Sequence, residues 1–265
     1  MDRAAEFRQQ GFIVERGFFS RDEVATVLAE VERCVAEDEA RSGPAGGGLI
    51  FTTETFRRSQ IVQRFLSQQR VIDFLKPIAG NDLWVRWDQA VSKRPGGAVF
   101  RWHQDNAYNK LRTEHFQLWV ALTETRMHNG TLWLSPGSHA KGLLPHRHID
   151  GQREVIGDVT DSVCIDASAG DLVLFSSLML HHTGPNNADS TRVAYVAEYM
   201  PLADYDYAVG GPYFVVAENG KSKPHFINKQ RGATPHNLKM YRRERMLSMA
   251  RHPVRSMRTA LMAMR

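Results

Sequence analysis

From residue 83 onward the chain stops reading as helix and becomes a series of short strands. LWVRWDQAVS, FQLWVALTE, GDLVLFSSLML and RVAYVAEYM are rich in β-branched and aromatic residues, and each is bounded by Gly, Pro, Asn or Asp. No helical segment alternates regularly with them, so a βαβ sheet is disfavoured. A mainly β domain is expected, built as an antiparallel sandwich or jelly roll. Residues 2–10 read as a short helix. Ser20-Arg21-Asp22-Glu23 forms a capping box that opens a helix through about residue 39, with Val24, Val27, Leu28 and Val31 on one face. RSGPAGGG (41–48) reads as a flexible loop of the kind that serves as a lid. A further helix is predicted over about 60–76, ending before Pro77. These front helices are expected to pack outside one sheet.

Within the strand-rich part, RWHQDNAY (101–108) sets His103 and Asp105 two residues apart. On a strand such residues share a face, so both can reach one ion. Imidazole with carboxylate suits Fe(II), Zn(II) or Mn(II). Further on, LMLHHTGPNNADSTRVAYVAEYM (178–200) ends an apolar strand at His181 and His182 and opens the next at Arg192. A hairpin here would bring a second imidazole and a guanidinium together. Two His and one carboxylate on one face of a metal leave open positions for other ligands, the facial arrangement of non-haem Fe(II) oxygenases. A nearby Arg suits the far carboxylate of a 2-oxo acid.

WHQD, NGTLWLSPGSH and AGDLVLFSSLMLHHTGPNNADSTR, in this order, resemble the phytanoyl-CoA dioxygenase family, as does the opening FRQQGFIVERGFFSRDEV. The resemblance runs from about residue 6 to residue 201. It implies a double-stranded β-helix, the cupin-like jelly roll, with flanking N-terminal helices. It also implies an enzyme using Fe(II), 2-oxoglutarate and O2 to hydroxylate an unactivated C–H bond, with release of succinate and CO2. His103, Asp105 and His181 match the metal ligands. His182 falls at a variable position and, by strand alternation, should point away. Arg192 matches the residue that binds the distal 2-oxoglutarate carboxylate, and Thr183 a hydroxyl that supports it. Lys93, Trp119 and Gln89 look similar to co-substrate-pocket positions. In related halogenases a small residue replaces the carboxylate ligand; here Asp105 is intact, which favours hydroxylation. Two other readings stand beside this one: a cupin-like metal enzyme without 2-oxoglutarate, and a non-catalytic metal-binding sensor or scaffold. Arg192 and Thr183 argue against the first.

The substrate is expected to be a small polar or anionic metabolite, or a biosynthetic intermediate. Arg86, Arg94, Arg101 and Arg112 lie near the motif strands, and the sequence leaves their facing open. The net charge of +5 is unevenly spread: residues 239–265 hold eight Lys/Arg and one Glu, while the other 238 residues hold 26 basic and 28 acidic side chains. Residues 1–238 therefore read as one catalytic domain, and 239–265 as a basic, Met/Arg-rich, helical segment. That segment is expected to dock on its own domain or on a second copy in a homo-oligomer. With a near-neutral body and no recognised nucleic-acid fold, no nucleic-acid partner is expected. No apolar run is long enough to span a bilayer, and the N-terminus has no secretory apolar region. Two cysteines, Cys34 and Cys164, make no disulfide framework and read as buried thiols, so a cytoplasmic setting is expected.

Overall fold

The computed structural model describes residues 2–43, 46–109, 111 and 113–251. Helix α1 (Arg3–Gln10) and strand β1 (Phe12–Glu15) lead into the long helix α2 (Arg21–Ser42). The capping box forms: the Ser20 hydroxyl accepts from the Glu23 amide, and the Glu23 carboxylate accepts from the Ser20 amide at 2.9 Å. Such a cap contributes about 1 kcal/mol. Strand β2 (Leu49–Thr53) follows, then helices α3 (Thr55–Arg58), α4 (Gln60–Leu66) and α5 (Gln69–Ala79).

Three expectations for this region are corrected. The loop predicted at 41–48 starts later, because α2 runs on to Ser42 and closes on Gly43, whose amide bonds to the Glu39 carbonyl. Residues 44 and 45 of that loop lie outside the described residues. The helix predicted over 60–76 is two helices, broken where the Ser67 hydroxyl bonds back to the Gln63 carbonyl. Pro77 does not stop the second helix but lies inside α5. In the last turn a missing amide hydrogen forfeits only one bond, and the helix ends at Gly80 instead.

The remaining elements are strands β3 (Leu83–Lys93) and β4 (Phe100–His103), helix α6 (Asn106–Asn109), then strands β5 (Phe116–Ala121), β6 (Leu132–Leu134), β7 (His146–Ile149), β8 (Gln152–Val155), β9 (Val163–Ile165), β10 (Leu172–Ser176), β11 (His181–Thr183), β12 (Arg192–Pro201), β13 (Tyr213–Glu218) and β14 (Lys221–Ile227), and helix α7 (Pro235–Arg251). The large sheet runs β1-β10-β5-β12-β3-β13-β14, with β2 also paired to β3. The small sheet runs β4-β11-β6-β9, and β7 and β8 form a separate hairpin. Every named pair is antiparallel. This is the predicted jelly roll.

Strand β12 explains the layering. Val193, Tyr195, Ala197 and Tyr199 join a core with Phe56, Phe65 and Leu66 of the front helices. Ala194 and Val196 face the other way, into a core shared with Leu132 and Leu134 of the small sheet. A period of two buries both faces. On the helix side, Asp88 of β3 accepts from the hydroxyls of Thr55 and Tyr195 and from the Phe56 amide at 2.9 Å, which ties α3 to the sheet. The register between β3 and β12 slips once. Glu198 pairs with Trp87 and Tyr199 with Val85, so Arg86 is the extra residue of a β-bulge. The bulge re-aims the strand, and Arg86 and Trp87 both line the cavity between the sheets.

The hairpin expected between the His pair and Arg192 does not exist. Strand β11 is paired on both edges, by β4 and by β6, so it has no free edge for β12. The segment 184–191 instead crosses from the small sheet to the large one. Buried Asn186 fixes the crossing by donating to the carbonyls of Lys93 at 2.7 Å and Ser190 at 2.8 Å. Cys34 is buried, but Cys164, on the edge strand β9, is only half-buried. Helix α7 docks on the domain through Tyr241, stacked on Tyr207 with ring centroids 4.0 Å apart. The part of the basic 239–265 segment beyond residue 251 lies outside the described residues. Among those described, no helix is long and apolar enough to cross a membrane.

Candidate metal centre

The last residue of β4, His103, pairs directly with the first residue of β11, His181. Asp105 lies just past the end of β4, in the turn leading to α6. The ligand atoms of the three residues all lie within 4.8 Å of one another. Asp105 Oδ1 is 3.7 Å from Nε2 of each His. Gln104, fully buried between two of these residues, holds the turn: its amide donates to the carbonyls of Gly142 at 2.8 Å and Leu178 at 2.6 Å, and its oxygen accepts from the Leu144 amide at 2.8 Å.

The ring nitrogens are poised for metal binding. His103 Nδ1 lies 2.7 Å from the Arg101 carbonyl, and His181 Nδ1 lies 2.9 Å from the Met179 carbonyl. A carbonyl only accepts, so each Nδ1 carries the hydrogen and each Nε2 keeps its lone pair for a metal. Burial works against charge on Asp105, but His181 and His103 beside it outweigh that and hold its carboxyl down to about 2. Burial, then His103, pushes His181 down to about 4. At neutral pH Asp105 is thus a carboxylate and His181 a neutral imidazole, the forms that bind metal. Two nitrogens and one oxygen converging from one side fit Fe(II) and leave its other face open.

His182 points away, as strand alternation predicts. Its ring packs between Trp102 and Trp133, at centroid distances of 4.2 and 5.7 Å. Burial, then Lys93, pushes it down to about 4.

A chamber of about 70 Å³ adjoins the three donors and is walled by Trp119, Phe175, Leu132, Gln89, Thr183 and Arg192, among others. The Arg192 guanidinium is 1 % exposed. It donates to the carbonyls of Gly130 at 2.9 Å and Val91 at 3.3 Å, while its Nε has no partner. Burial lowers it to about 10, so it stays charged at neutral pH. Lys93 does not line this chamber. It lies behind it, fully buried, and donates to the Thr183 hydroxyl at 2.8 Å and to the Gly184 carbonyl. Burial, then Arg192, pushes Lys93 down to about 7.

Gly130 makes this packing possible. Its φ of +84° is in the left-handed region, and a Cβ there would sit 2.7 Å from both the Gly184 oxygen and Lys93 Cδ. Gly130→Ala is expected to cost about 1–3 kcal/mol of stability in urea denaturation. A loss under about 0.5 kcal/mol would mean that the neighbours yield freely.

Several residues beside the site carry no motif. Glu198 lines the inner chamber and a larger outer cavity. It pairs with Arg86, and His115 Nε2 lies 3.5 Å from it. Arg86 also pairs with buried Asp206. Burial raises the Glu198 carboxyl, against the pull of Arg86. Strand alternation from Arg192 through residues 194 and 196 would have placed Glu198 on the site face. Nothing local marks His115 or Asp206. Of the other arginines near the motif strands, Arg94 pairs with Glu39, and Arg101 with Asp150 and Glu154. Arg112 lies outside the described residues. Asn106 is buried and bonded to the carbonyls of Leu111 and Thr113, whereas Tyr108 lines the outer cavity.

Comparison with known proteins places this geometry. The family model described as Phytanoyl-CoA dioxygenase (PhyH) matches residues 7–194. An ectoine dioxygenase of Stutzerimonas stutzeri (strain A1501) is 26% identical over 267 residues, covering 88% of this chain and 85% of its own. A probable alpha-ketoglutarate-dependent hypophosphite dioxygenase of Stutzerimonas stutzeri is 24% identical over 221 residues, covering 72% and 75%. Among solved structures, the apo form of the non-heme monooxygenase ThoJ superposes with a TM-score of 0.71 at 24% identity, covering 91% of this chain and 93% of that one. EctD from S. alaskensis, with 2-oxoglutarate and 5-hydroxyectoine, does so with a TM-score of 0.59 at 21% identity, covering 76% of each.

Proposed function

The chain belongs to the phytanoyl-CoA dioxygenase family of Fe(II)- and 2-oxoglutarate-dependent dioxygenases, and from that premise we propose that it hydroxylates an unactivated C–H bond of a small-molecule metabolite or biosynthetic intermediate. In this reading His103, Asp105 and His181 hold the iron. The observation that carries it is the convergence of their three donor atoms, with each Nδ1 already engaged by a carbonyl. Bound Fe(II), with 2-oxoglutarate and dioxygen, supplies the oxidising equivalents and leaves succinate and carbon dioxide behind.

The chain's own residues bind and shield. Arg192 takes the distal carboxylate of 2-oxoglutarate, for which it offers a buried charge and an unpartnered Nε. Protonated Lys93 only donates, so where it bonds Thr183 it occupies the hydroxyl oxygen and turns the hydroxyl hydrogen elsewhere. That hydrogen serves the same carboxylate, which makes Lys93 a positioning residue acting through Thr183. Trp119, Leu132 and Phe175 keep water from the inner chamber. Gln89 lies at the junction of the two cavities, where it meets co-substrate or substrate.

The test is an anaerobic titration with Fe(II) and then 2-oxoglutarate. A visible metal-to-ligand charge-transfer band is expected on addition of the oxo acid. Iron binding without that band would overturn the reading.

A further inference from the structure

Between the metal donors and solvent lies the outer cavity, about 630 Å³ in volume. Five aromatic rings line it: Phe51, Trp87, Phe100, Tyr108 and Tyr207. Its ionic groups are set by the bulge in β3. Arg86 donates through Nε to Asp206 and through a terminal nitrogen to Glu198, so one cation faces two carboxylates. His115 adds no positive charge, because burial and then Arg86 push it down to about 3. Among the described residues Arg86 is the one guanidinium or ammonium group lining this outer cavity, and both carboxylates hold it. Lys93 lies outside these walls, behind Thr183.

Gln117 of β5 pairs in register with Glu198, is 1 % exposed and lines the inner chamber, with its side-chain amide turned to the Glu198 carboxylate.

We propose that this cavity is the substrate subsite and selects an organic cation, an amine or alkylammonium compound, with Glu198 as its anionic partner and Trp87 and Tyr207 against its charge. The proposal rests on the metal triad being the reaction site. Aromatic faces attract such cations, and a carboxylate at the end of an aromatic cavity fixes their orientation. An anionic substrate meets the reverse. Its natural partner, Arg86, is already engaged twice, and a phosphonate or carboxylate reaching it would stand beside Glu198 and Asp206.

Three probes of similar shape test it: 3-phenylpropylamine, 3-phenylpropan-1-ol and 4-phenylbutyrate, titrated by calorimetry at neutral pH. Each is run on the metal-free protein and, anaerobically, on protein loaded with Fe(II) and 2-oxoglutarate. The amine is expected to bind about tenfold or more tightly than the alcohol, and the carboxylate most weakly, in both states. Glu198→Gln should weaken the amine about tenfold and leave the alcohol within about twofold. Trp87→Leu, which leaves the ion pairs and the Tyr207–Tyr241 stack intact, should weaken the amine more than the alcohol and decides the matter if Glu198→Gln does not fold. The proposal is overturned if the alcohol or carboxylate matches the amine, or if the amine shows no binding at millimolar concentration. The charge-transfer band is recorded on the loaded sample. A missing band with the amine order intact sinks the metal reading alone, and a band without amine preference sinks the subsite alone.

Discussion

His181→Ala is expected to abolish the charge-transfer band and to lower turnover of 2-oxoglutarate by at least about 100-fold. Loss of a supporting outer-shell partner typically costs 10–100-fold in metal affinity, and loss of a ligand atom costs more. The neighbouring change is the control. His182→Ala should keep the band, because the His182 ring is packed between Trp102 and Trp133 rather than turned to Asp105. It should cost about 1–3 kcal/mol of stability through the lost ring packing. Adjacent, chemically identical side chains thus give opposite readouts. The assignment fails if the band follows His182 instead, or if His181→Ala still forms it.

Arg192→Ala should weaken 2-oxoglutarate by about 100-fold while leaving Fe(II) affinity within about threefold. Truncating one partner of a buried, hydrogen-bonded charge pair costs 2–5 kcal/mol, and each 1.4 kcal/mol is tenfold. Arg192→Lys keeps the charge and loses the fork, so it should recover only part of the affinity. The two titrations separate anchoring from folding. Equal losses for iron and oxo acid would show that Arg192 holds the sheet together, through the Gly130 and Val91 carbonyls, rather than the co-substrate.

Much of this architecture is written in strand text. The alternation in RVAYVAEYM, the apolar run before His181 and the capping box at Ser20 are local signals, and each formed as its local chemistry dictates. The family resemblance named the metal triad, and strand alternation separated His181 from His182. What the sequence hid was relational. Whether β11 turns back on β12 or crosses to the other sheet depends on who else pairs with β11, and β4 and β6 are distant in the chain. Arg86 should have faced away from Trp87 by alternation, but one slipped residue against Glu198 reversed it. Lys93 reads as pocket lining because its strand does line the pocket, yet its side chain passes beneath Gly130 to reach Thr183. Glu198 was within reach of a period-two count. Asp206 and His115 were not, since their contacts span long stretches of chain.

The crossing segment 184–191 has a further consequence. The candidate ligands hang from the small sheet and Arg192 from the large one, so the centre is assembled only where the two layers meet. If the proposed ligands hold iron and Arg192 holds the far end of the oxo acid, the pair would act as a rivet through the sandwich. Loading would then do more than fill a hole: it would add a tie between two layers already joined by side-chain packing, connecting loops and the bond from Lys93 to Thr183. Protein loaded with Fe(II) and 2-oxoglutarate is expected to exchange its β4 and β11 amide hydrogens markedly more slowly than unloaded protein.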